Sequence, residues 1–246
     1  MNVVGVIPAR WASTRLPGKS LLPIAGKPLI QHVLERCREA RRLDLLLVAT
    51  DDQRIYDAVA RLGTEAVMTR ADHPSGTDRV AEAVRDREAD VIINIQGDEP
   101  LIDPRLIDRL AEPMLGAADW DMATAAAPVA GVSDLRNPSV VKVVWDAGGR
   151  ALYFSRAPIP FDRATDGGHQ PGLHWRHIGI YAYRRRFLAK LVQTPPCPLE
   201  LAEKLEQLRA LHIGARIAVL ETDEAGCGVD TPADVPYVEA LIRRRG

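Results

Sequence analysis

Three cations lie on one short segment that follows the first apolar run of the chain. Residues 3–29 read VVGVIPARWASTRLPGKSLLPIAGKPL, and Arg10, Arg15 and Lys19 come directly after a run typical of a buried strand. Three positive side chains so close together favour a polyanionic ligand, and a triphosphate fits that charge. The segment lacks the G-x-x-x-x-G-K-[ST] spacing of a Walker loop. Ordinary surface charge is the alternative that the spacing alone leaves open.

Two aspartates stand where carboxylates could meet such a ligand. Asp98 ends the apolar run DVIINIQGD, and Asp230 lies in CGVDTPADV, between Gly228 and Pro232. Carboxylate oxygens suit Mg²⁺, which keeps several waters and shares substrate phosphates. A turn role for Asp98 and a helix N-cap role for Asp230 are the alternatives. Glu99 is a weaker candidate.

The segment TRADHPSGTDR offers hydrogen-bond donors beside a small residue that lets a ligand approach the backbone. The candidates are Arg70, Ser75, Gly76 and Thr77. His73 lies in the same segment, and for a loop histidine a structural hydrogen bond is the stronger expectation than catalysis.

The elements that must position these residues alternate regularly in the first half. Apolar strands such as NVVGVI, LDLLLVAT, EAVMTR and DVIINIQGD are separated by helical patterns. Near-continuous apolar strands in this alternation predict a mostly parallel α/β sheet of the Rossmann-like type, with helices on both faces. Ligands bind beyond the carboxyl ends of such strands, where the first loop and Asp98 lie.

The pattern changes after about residue 125. Two β-rich runs flank the turn signal Asp146-Ala147-Gly148-Gly149, which predicts a hairpin. A long loop rich in Pro, Gly and Asp precedes the strand pattern RHIGIYAYR, and helical patterns return from Pro198. We therefore predict an α/β domain of residues 1–125 and 196–246, with a small β-rich lobe inserted at residues 126–195.

Composition narrows the function classes. The chain has 246 residues and a net charge of −1, which gives no reason to expect a nucleic-acid partner. We find no apolar run long enough for a membrane span and no signal-peptide pattern. The three cysteines match neither a disulfide framework nor a zinc spacing. These features predict a cytoplasmic protein without a membrane partner.

Eight ordered blocks together resemble one enzyme family, the 3-deoxy-D-manno-octulosonate (Kdo) cytidylyltransferases. The blocks, which span nearly the whole chain, are IPARWASTRLPGKSLLPIAGKPL, MTRADHPSGTDRVAE, NIQGDEPLI, NPSVVKVV, ALYFSRAPIP, RHIGIYAYR, PLE..EKLEQLR and GVDTPADV. The resemblance implies a nucleotidyltransferase fold and transfer of the cytidylyl group of CTP to Kdo, for lipopolysaccharide biosynthesis.

The resemblance also implies roles for residues. Asp98 and Asp230 would hold Mg²⁺, while Arg10 and Lys19 would stabilise the triphosphate, with Arg15 tied to it less directly. Arg10, Lys19 and Asp98 would be the catalytic set, and the cytosine would lie near residues 70–77. The implied homodimer forms through the inserted lobe. The sugar-binding residues implied are Gln96, Arg156, His177, Tyr181, Glu206 and Gln207.

Other interpretations remain open at this stage. Arg156 could be a surface charge, Tyr181 a core or interface residue, and Glu206 and Gln207 the solvated face of a helix. A cytidylyltransferase for 8-amino-Kdo or sialic acid would share the first loop and the aspartates. A nucleotide-binding protein without catalysis is the remote alternative, which the intact set of cations and aspartates disfavours.

Overall fold

The computed structural model describes residues 1–12, 16–116, 118–223 and 226–245. The chain divides into two compact units. The first comprises Met1–Ala111 and Gly226–Gly246, and the second comprises Glu112–Ala225. Residues 126–195, the predicted insertion, lie within the second unit, and the exact boundaries of that lobe stay a prediction.

The strands are numbered in chain order. They are β1 (Val3–Ala9), β2 (Pro23–Ile24), β3 (Lys27–Pro28), β4 (Leu45–Thr50), β5 (Glu65–Met68), β6 (Val91–Asn94), β7 (Met122–Pro128), β8 (Lys142–Trp145), β9 (Ala151–Ser155), β10 (Trp175–Arg184) and β11 (Ile217–Glu221).

The α-helices are numbered in the same way, and short 3₁₀ helices cover Lys19–Leu21 and Pro232–Asp234. The α-helices are α1 (Leu29–Cys37), α2 (Gln53–Arg61), α3 (Gly76–Ala83), α4 (Pro104–Leu115), α5 (Val132–Arg136), α6 (Arg185–Gln193), α7 (Pro198–Glu203), α8 (Gln207–His212) and α9 (Val235–Arg245). None of the helices in the described ranges has the length and apolar character that crossing a membrane requires.

The first unit contains a parallel sheet in the order β6-β1-β4-β5. Its central strands are buried on both faces, with Val6, Ile7, Val48 and Ile92 at 0% exposure. Continuous apolar runs form such strands because helices cover both sides of the sheet. The predicted parallel α/β sheet is thereby confirmed, and its strands end at the loops that carry the candidate residues.

The second unit contains a mixed sheet. β11 runs parallel to β7, β10 is antiparallel to β7 and β8, and β8 forms a hairpin with β9. The hairpin turn is held by the Asp146 carboxylate, which accepts hydrogen bonds from the backbone N–H groups of Gly148 and Arg150. The turn signal in the sequence therefore predicted this hairpin correctly.

Candidate active site

A cavity of about 450 Å³ lies at the carboxyl ends of the parallel strands of the first unit. Its walls come from the end of β1 and the following loop, the start of the first 3₁₀ helix, the β5–α3 loop, the segment after β6 and the segment before α9. The lining residues are Pro8, Ala9, Arg10, Lys19, Ser20, His73, Pro74, Ser75, Gly76, Arg79, Gln96, Gly97, Asp98 and Asp230. Five stretches of sequence thus meet where the strand-end rule places a ligand.

Lys19 joins the two predicted metal-binding aspartates. Its Nζ donates to Asp98 Oδ2 at 2.6 Å and lies 3.5 Å from Asp230 Oδ1. The Lys19 side chain is 16% exposed, so its charge faces these carboxylates and the cavity, not bulk solvent. The structure therefore brings Arg10, Lys19, Asp98 and Asp230 to one cavity, as the sequence predicted.

The same cluster of Lys19, Asp98 and Asp230 is also the candidate Mg²⁺ site. Among the described residues no group of three or more His, Cys, Asp or Glu side chains could enclose a metal ion. Two carboxylates within reach of one ammonium group are nevertheless a donor set that suits Mg²⁺, which takes one or two protein carboxylates and fills its other positions with phosphate oxygens and water. Asp98 and Asp230 fit that requirement, and Lys19 would exchange part of its contact for the ion.

The N-terminus of α3 contributes to the wall of the same cavity. Ser75 caps the helix, because its side chain accepts from the backbone N–H of Asp78 at 3.2 Å. Ser75 and Gly76 line the cavity, and their contact with the nucleotide stays a prediction. Thr77 is 3% exposed and is not among the lining residues. Arg70 is also absent from the lining, since its exposed guanidinium pairs with Asp72 at 3.0 Å.

His73 lines the cavity and is tied to Glu82 of α3 by a short hydrogen bond. Glu82 also accepts from the backbone N–H of Arg70 at 3.1 Å, so one carboxylate holds both ends of this loop. Burial raises the pKa of Glu82, but its bonds with His73 and Arg70 outweigh that effect and lower the pKa. These contacts agree with a structural role for His73, which the sequence favoured.

Arg79 is a cavity residue that sequence reasoning missed. It is 3% exposed, and its guanidinium donates to Asp51 at 2.9 Å and to Thr69 at 2.5 Å. The available signal was its spacing, because Arg79 lies three residues after Gly76 and one before the buried Val80 on the inward face of α3. Arg15, the third cation of the first loop, lies outside the described residues.

A second cavity, of about 360 Å³, lies within the second unit. It is bounded by the segment before β8, by β10 and by the α7–α8 junction. Four predicted sugar-binding residues are present: His177, Tyr181, Glu206 and Gln207. The full lining comprises Ser139, Val140, Val141, Arg176, His177, Gly179, Tyr181, Lys204, Leu205, Glu206 and Gln207.

Two of the predicted sugar-binding side chains in this second cavity are neutral, and the charged residues Arg176, Lys204 and Glu206 line it as well. Burial lowers the pKa of His177 to about 3, and burial together with the nearby Glu206 raises the pKa of Tyr181. Both side chains are therefore uncharged near pH 7. Tyr181 donates to Gln207 Oε1 at 3.4 Å, and Gln207 Nε2 is buried without a hydrogen-bond partner in the described part of the chain. An unpaired buried donor at a cavity wall favours a ligand that supplies an oxygen.

Two other predicted sugar residues lie elsewhere. Gln96 lines the cavity of the first unit, beside Lys19, and not the cavity of the second. Arg156 is not among the residues lining the second cavity; its guanidinium donates to the backbone carbonyls of Glu203 at 2.6 Å and Pro138 at 2.8 Å. These bonds connect the segments that form two walls of that cavity, and a sugar contact by Arg156 stays a prediction.

Comparison with known proteins places this chain in a family. A cytidylyltransferase family model matches residues 4–217. The 3-deoxy-manno-octulosonate cytidylyltransferases of Trichlorobacter lovleyi and Syntrophobacter fumaroxidans are 50% and 53% identical to it, over 99% and 98% of this chain and 100% and 97% of theirs.

Solved structures support the same family assignment. A CMP:2-keto-3-deoxy-manno-octonic acid synthetase complexed with CTP is 44% identical, with a TM-score of 0.94 and full coverage of both chains. A cytidylyltransferase from Leptospira borgpetersenii, at 19% identity, shares the fold with a TM-score of 0.65 over 99% of this chain and 87% of its own. The chain therefore belongs to the cytidylyltransferase family, as a member of its 3-deoxy-manno-octulosonate cytidylyltransferases.

Proposed function

We propose that this enzyme transfers the cytidylyl group of CTP to Kdo, giving CMP-Kdo and pyrophosphate, with Mg²⁺ bound at Asp98 and Asp230. The observation that carries the proposal is the cluster of Lys19, Asp98 and Asp230 in the strand-end cavity. Family membership supports the same reaction, because the relatives carry this activity in their names and a similar structure contains CTP.

In the proposed reaction the anomeric hydroxyl of Kdo attacks the α-phosphorus of CTP. A new P–O bond forms to the sugar, the bond between the α-phosphorus and the bridging oxygen breaks, pyrophosphate leaves, and the hydroxyl proton passes to solvent. Such a transfer depends on positioning and charge neutralisation more than on covalent catalysis. Bound Mg²⁺ would supply Lewis-acid charge to the reacting oxygens and lower the pKa of a coordinated hydroxyl.

The protein's own cations act on the triphosphate. Arg10 and Lys19 line the cavity and offer positive charge to the phosphate oxygens, and the ammonium of Lys19 would stabilise charge on the leaving pyrophosphate. Ser75 and Gly76 at the start of α3 lie beside them and would hold the nucleotide by backbone contacts. The first unit therefore supplies what CTP requires.

The sugar would be recognised by the cavity of the second unit. Tyr181 and Gln207 are hydrogen-bonded to each other, which leaves Gln207 Nε2 available to a hydroxyl or carboxylate oxygen of Kdo. Gln207→Ala should therefore raise KM for Kdo at least tenfold, by the loss of a hydrogen bond of roughly 1.5 kcal/mol, and leave CTP affinity unchanged. Calorimetry with CTP alone measures CTP affinity. Calorimetry with Kdo plus a non-reactive CTP analogue then measures Kdo affinity.

Pyrophosphate release tests the reaction itself. The enzyme is supplied with CTP and Mg²⁺ alone, and then with Kdo, 8-amino-Kdo or sialic acid in turn. We expect release with Kdo, none with CTP alone and weaker release with the other two sugars. No release with any sugar would overturn the proposal, and a preference for 8-amino-Kdo or sialic acid would change the substrate but leave the site intact.

We further propose that the enzyme acts in the cytoplasm, where CTP is made, as a homodimer formed through the second unit. The support for the dimer is an apolar edge: β9 pairs with β8, and Leu152 on it is 58% exposed. An exposed edge strand with an apolar side chain favours pairing with a second chain. Light scattering after size-exclusion chromatography should give twice the mass of one chain, and Leu152→Lys should lower it. Cell fractionation tests the location.

A further inference from the structure

Asp98 and Asp230 come from distant parts of the sequence, so something must hold their backbones together. The segment that carries Asp230 runs alongside residues 98–99. The backbone N–H of Val229 donates to the carbonyl of Asp98 at 2.9 Å, and the backbone N–H of Cys227 donates to Glu99 Oε2, also at 2.9 Å. Glu99 thus holds this segment by a hydrogen bond at Cys227, three residues before Asp230.

The sequence around Cys227 is shaped to receive the Glu99 carboxylate. A Cβ at Gly226 would lie 3.1 Å from Glu99 Oε2, and a Cβ at Gly228 would lie 3.2 Å from Glu99 Oε1. Both distances are tighter than ordinary van der Waals contact, so a side chain at either position would push the carboxylate away. Gly226 also has φ +69°, a conformation that glycine adopts without strain.

The segment is fixed again immediately after Asp230. Asp234 Oδ2 accepts from the backbone N–H groups of Asp230 at 2.9 Å and Thr231 at 2.6 Å. Val229, between the two anchors, is fully buried. Asp230 itself is half exposed, with a side-chain exposure of 52%. The position of its carboxylate therefore depends on backbone anchors on both sides, of which Glu99 is the first.

We propose that Glu99 is a positioning residue that sets Asp230 against Asp98, and not a metal ligand itself. This rests on the proposed function, since it assumes that the two aspartates bind Mg²⁺. One oxygen of the Glu99 carboxylate accepts from the backbone N–H of Cys227, and through that bond Glu99 would act on the ion by way of Asp230. Its loss should weaken metal binding more than it lowers turnover at saturating metal.

The test measures Mn²⁺, a Mg²⁺ substitute visible by electron paramagnetic resonance, on the intact enzyme with a non-reactive CTP analogue. We expect Glu99→Ala to weaken Mn²⁺ binding about tenfold, the usual cost of losing a residue that orients a metal ligand. Glu99→Gln should recover part of the affinity, because its amide oxygen can still accept from Cys227 N–H. Kinetics in rising Mg²⁺ should show a higher half-maximal concentration and a kcat near that of the unaltered enzyme.

Matched variants make each outcome decisive. Glu88→Ala removes an exposed glutamate from the same unit and should leave Mn²⁺ affinity unchanged. Asp98→Asn should abolish binding; if it does not, the metal proposal itself fails. If Asp98→Asn abolishes binding while Glu99→Ala binds Mn²⁺ normally, or loses only kcat, the positioning role is wrong and the metal site stands.

A second variant changes the glycine side of the contact with the Glu99 carboxylate. It keeps the proposal testable if Glu99→Ala does not fold. Gly228→Ala keeps the Glu99 charge but presses a methyl group against its carboxylate, so Mn²⁺ affinity should fall by about threefold, less than the tenfold expected when the orienting group itself is removed. Gly131→Ala, where a Cβ meets nothing within 4 Å, is its control. Unchanged affinity in Gly228→Ala would contradict the proposal.

Discussion

Two lysines, one in each unit, show how differently the same side chain can be used. Lys19 lies at a cavity wall with two carboxylates, at 2.6 and 3.5 Å. Lys142 is fully buried, and its Nζ donates to the backbone carbonyls of Asn137, Val140 and Arg156 at 3.1, 2.6 and 2.6 Å. Burial lowers the pKa of Lys142, with Glu203 opposing that effect.

The partners decide what each cation can do. Carboxylates are mobile charges that can turn to a metal ion, which leaves Lys19 free to meet phosphate. Backbone carbonyls are fixed parts of the chain, so Lys142 has no donor left for a ligand. It ties the segment before β8 to the end of β9, and Arg156 ties that segment to the end of α7. Lys19 therefore presents its charge to a ligand, whereas Lys142 uses its charge to hold backbone segments together.

The largest effect should come from the carboxylates that face Lys19. Asp98→Asn or Asp230→Asn should lower kcat at least a hundredfold, the scale of removing a main electrostatic group, while circular dichroism shows an intact fold. EDTA, which removes the metal ion, should abolish the activity of the unaltered enzyme. Near-normal turnover in either variant at ordinary Mg²⁺ concentrations would remove that aspartate from the metal site.

Lys19 comes next. Removing one charge-assisted contact with a phosphate should cost about 1.5–3 kcal/mol, so Lys19→Ala should lower kcat/KM roughly ten- to a hundredfold. Exposed Lys27, paired with Glu35 on the surface of the same unit, is the matched control, and Lys27→Ala should have little effect. If Lys19→Ala and Arg10→Ala lower kcat/KM by small and equal factors, both residues are ordinary surface charges.

Lys142→Met tests whether Lys142 has the structural role that distinguishes it from Lys19. The variant keeps the apolar length of the side chain but leaves three carbonyls without their donor, so the free energy of unfolding should fall by about 2–3 kcal/mol. Urea unfolding measures this, with exposed Lys190→Met as the control. KM for Kdo should rise as the walls loosen, with CTP affinity unchanged. A stable variant that has lost CTP binding instead would contradict the division of roles.

The sequence predicted the first unit better than the second for a physical reason. Arg10, Lys19 and Asp98 follow apolar strands, so the strand-end rule by itself places them together. The carbonyl partners of Arg156 and Lys142 are backbone atoms, which leave no trace in side-chain spacing. β7, with the run ATAAA, is rich in a strong helix former and becomes a strand because β10 and β11 pair with it on both sides. α4 contains Pro113, which obscures a helical pattern.

The smallest effect, and a test of the neutral His177 in the second cavity, is a pH dependence of stability. Thr124 donates its hydroxyl proton to the carbonyl of Ile180 at 2.9 Å, so His177 Nε2–H is the donor in its 2.9 Å bond with Thr124 Oγ1. The folded protein thus holds a neutral imidazole whose pKa burial lowers from 6.5 to about 3.

Because the unfolded chain protonates His177 more readily than the folded one, the stability from this group is fully present above pH 6.5. It is lost progressively as the pH falls through 6.5 toward 3. Between pH 7 and pH 5 the loss should be at most about 2 kcal/mol, measured as the change in unfolding free energy in urea. His177→Gln, which keeps a donor for Thr124 but cannot titrate, should flatten that slope, whereas the same change at exposed His212 should not. An equal slope in His177→Gln would mean that the folded protein does not hold this imidazole neutral.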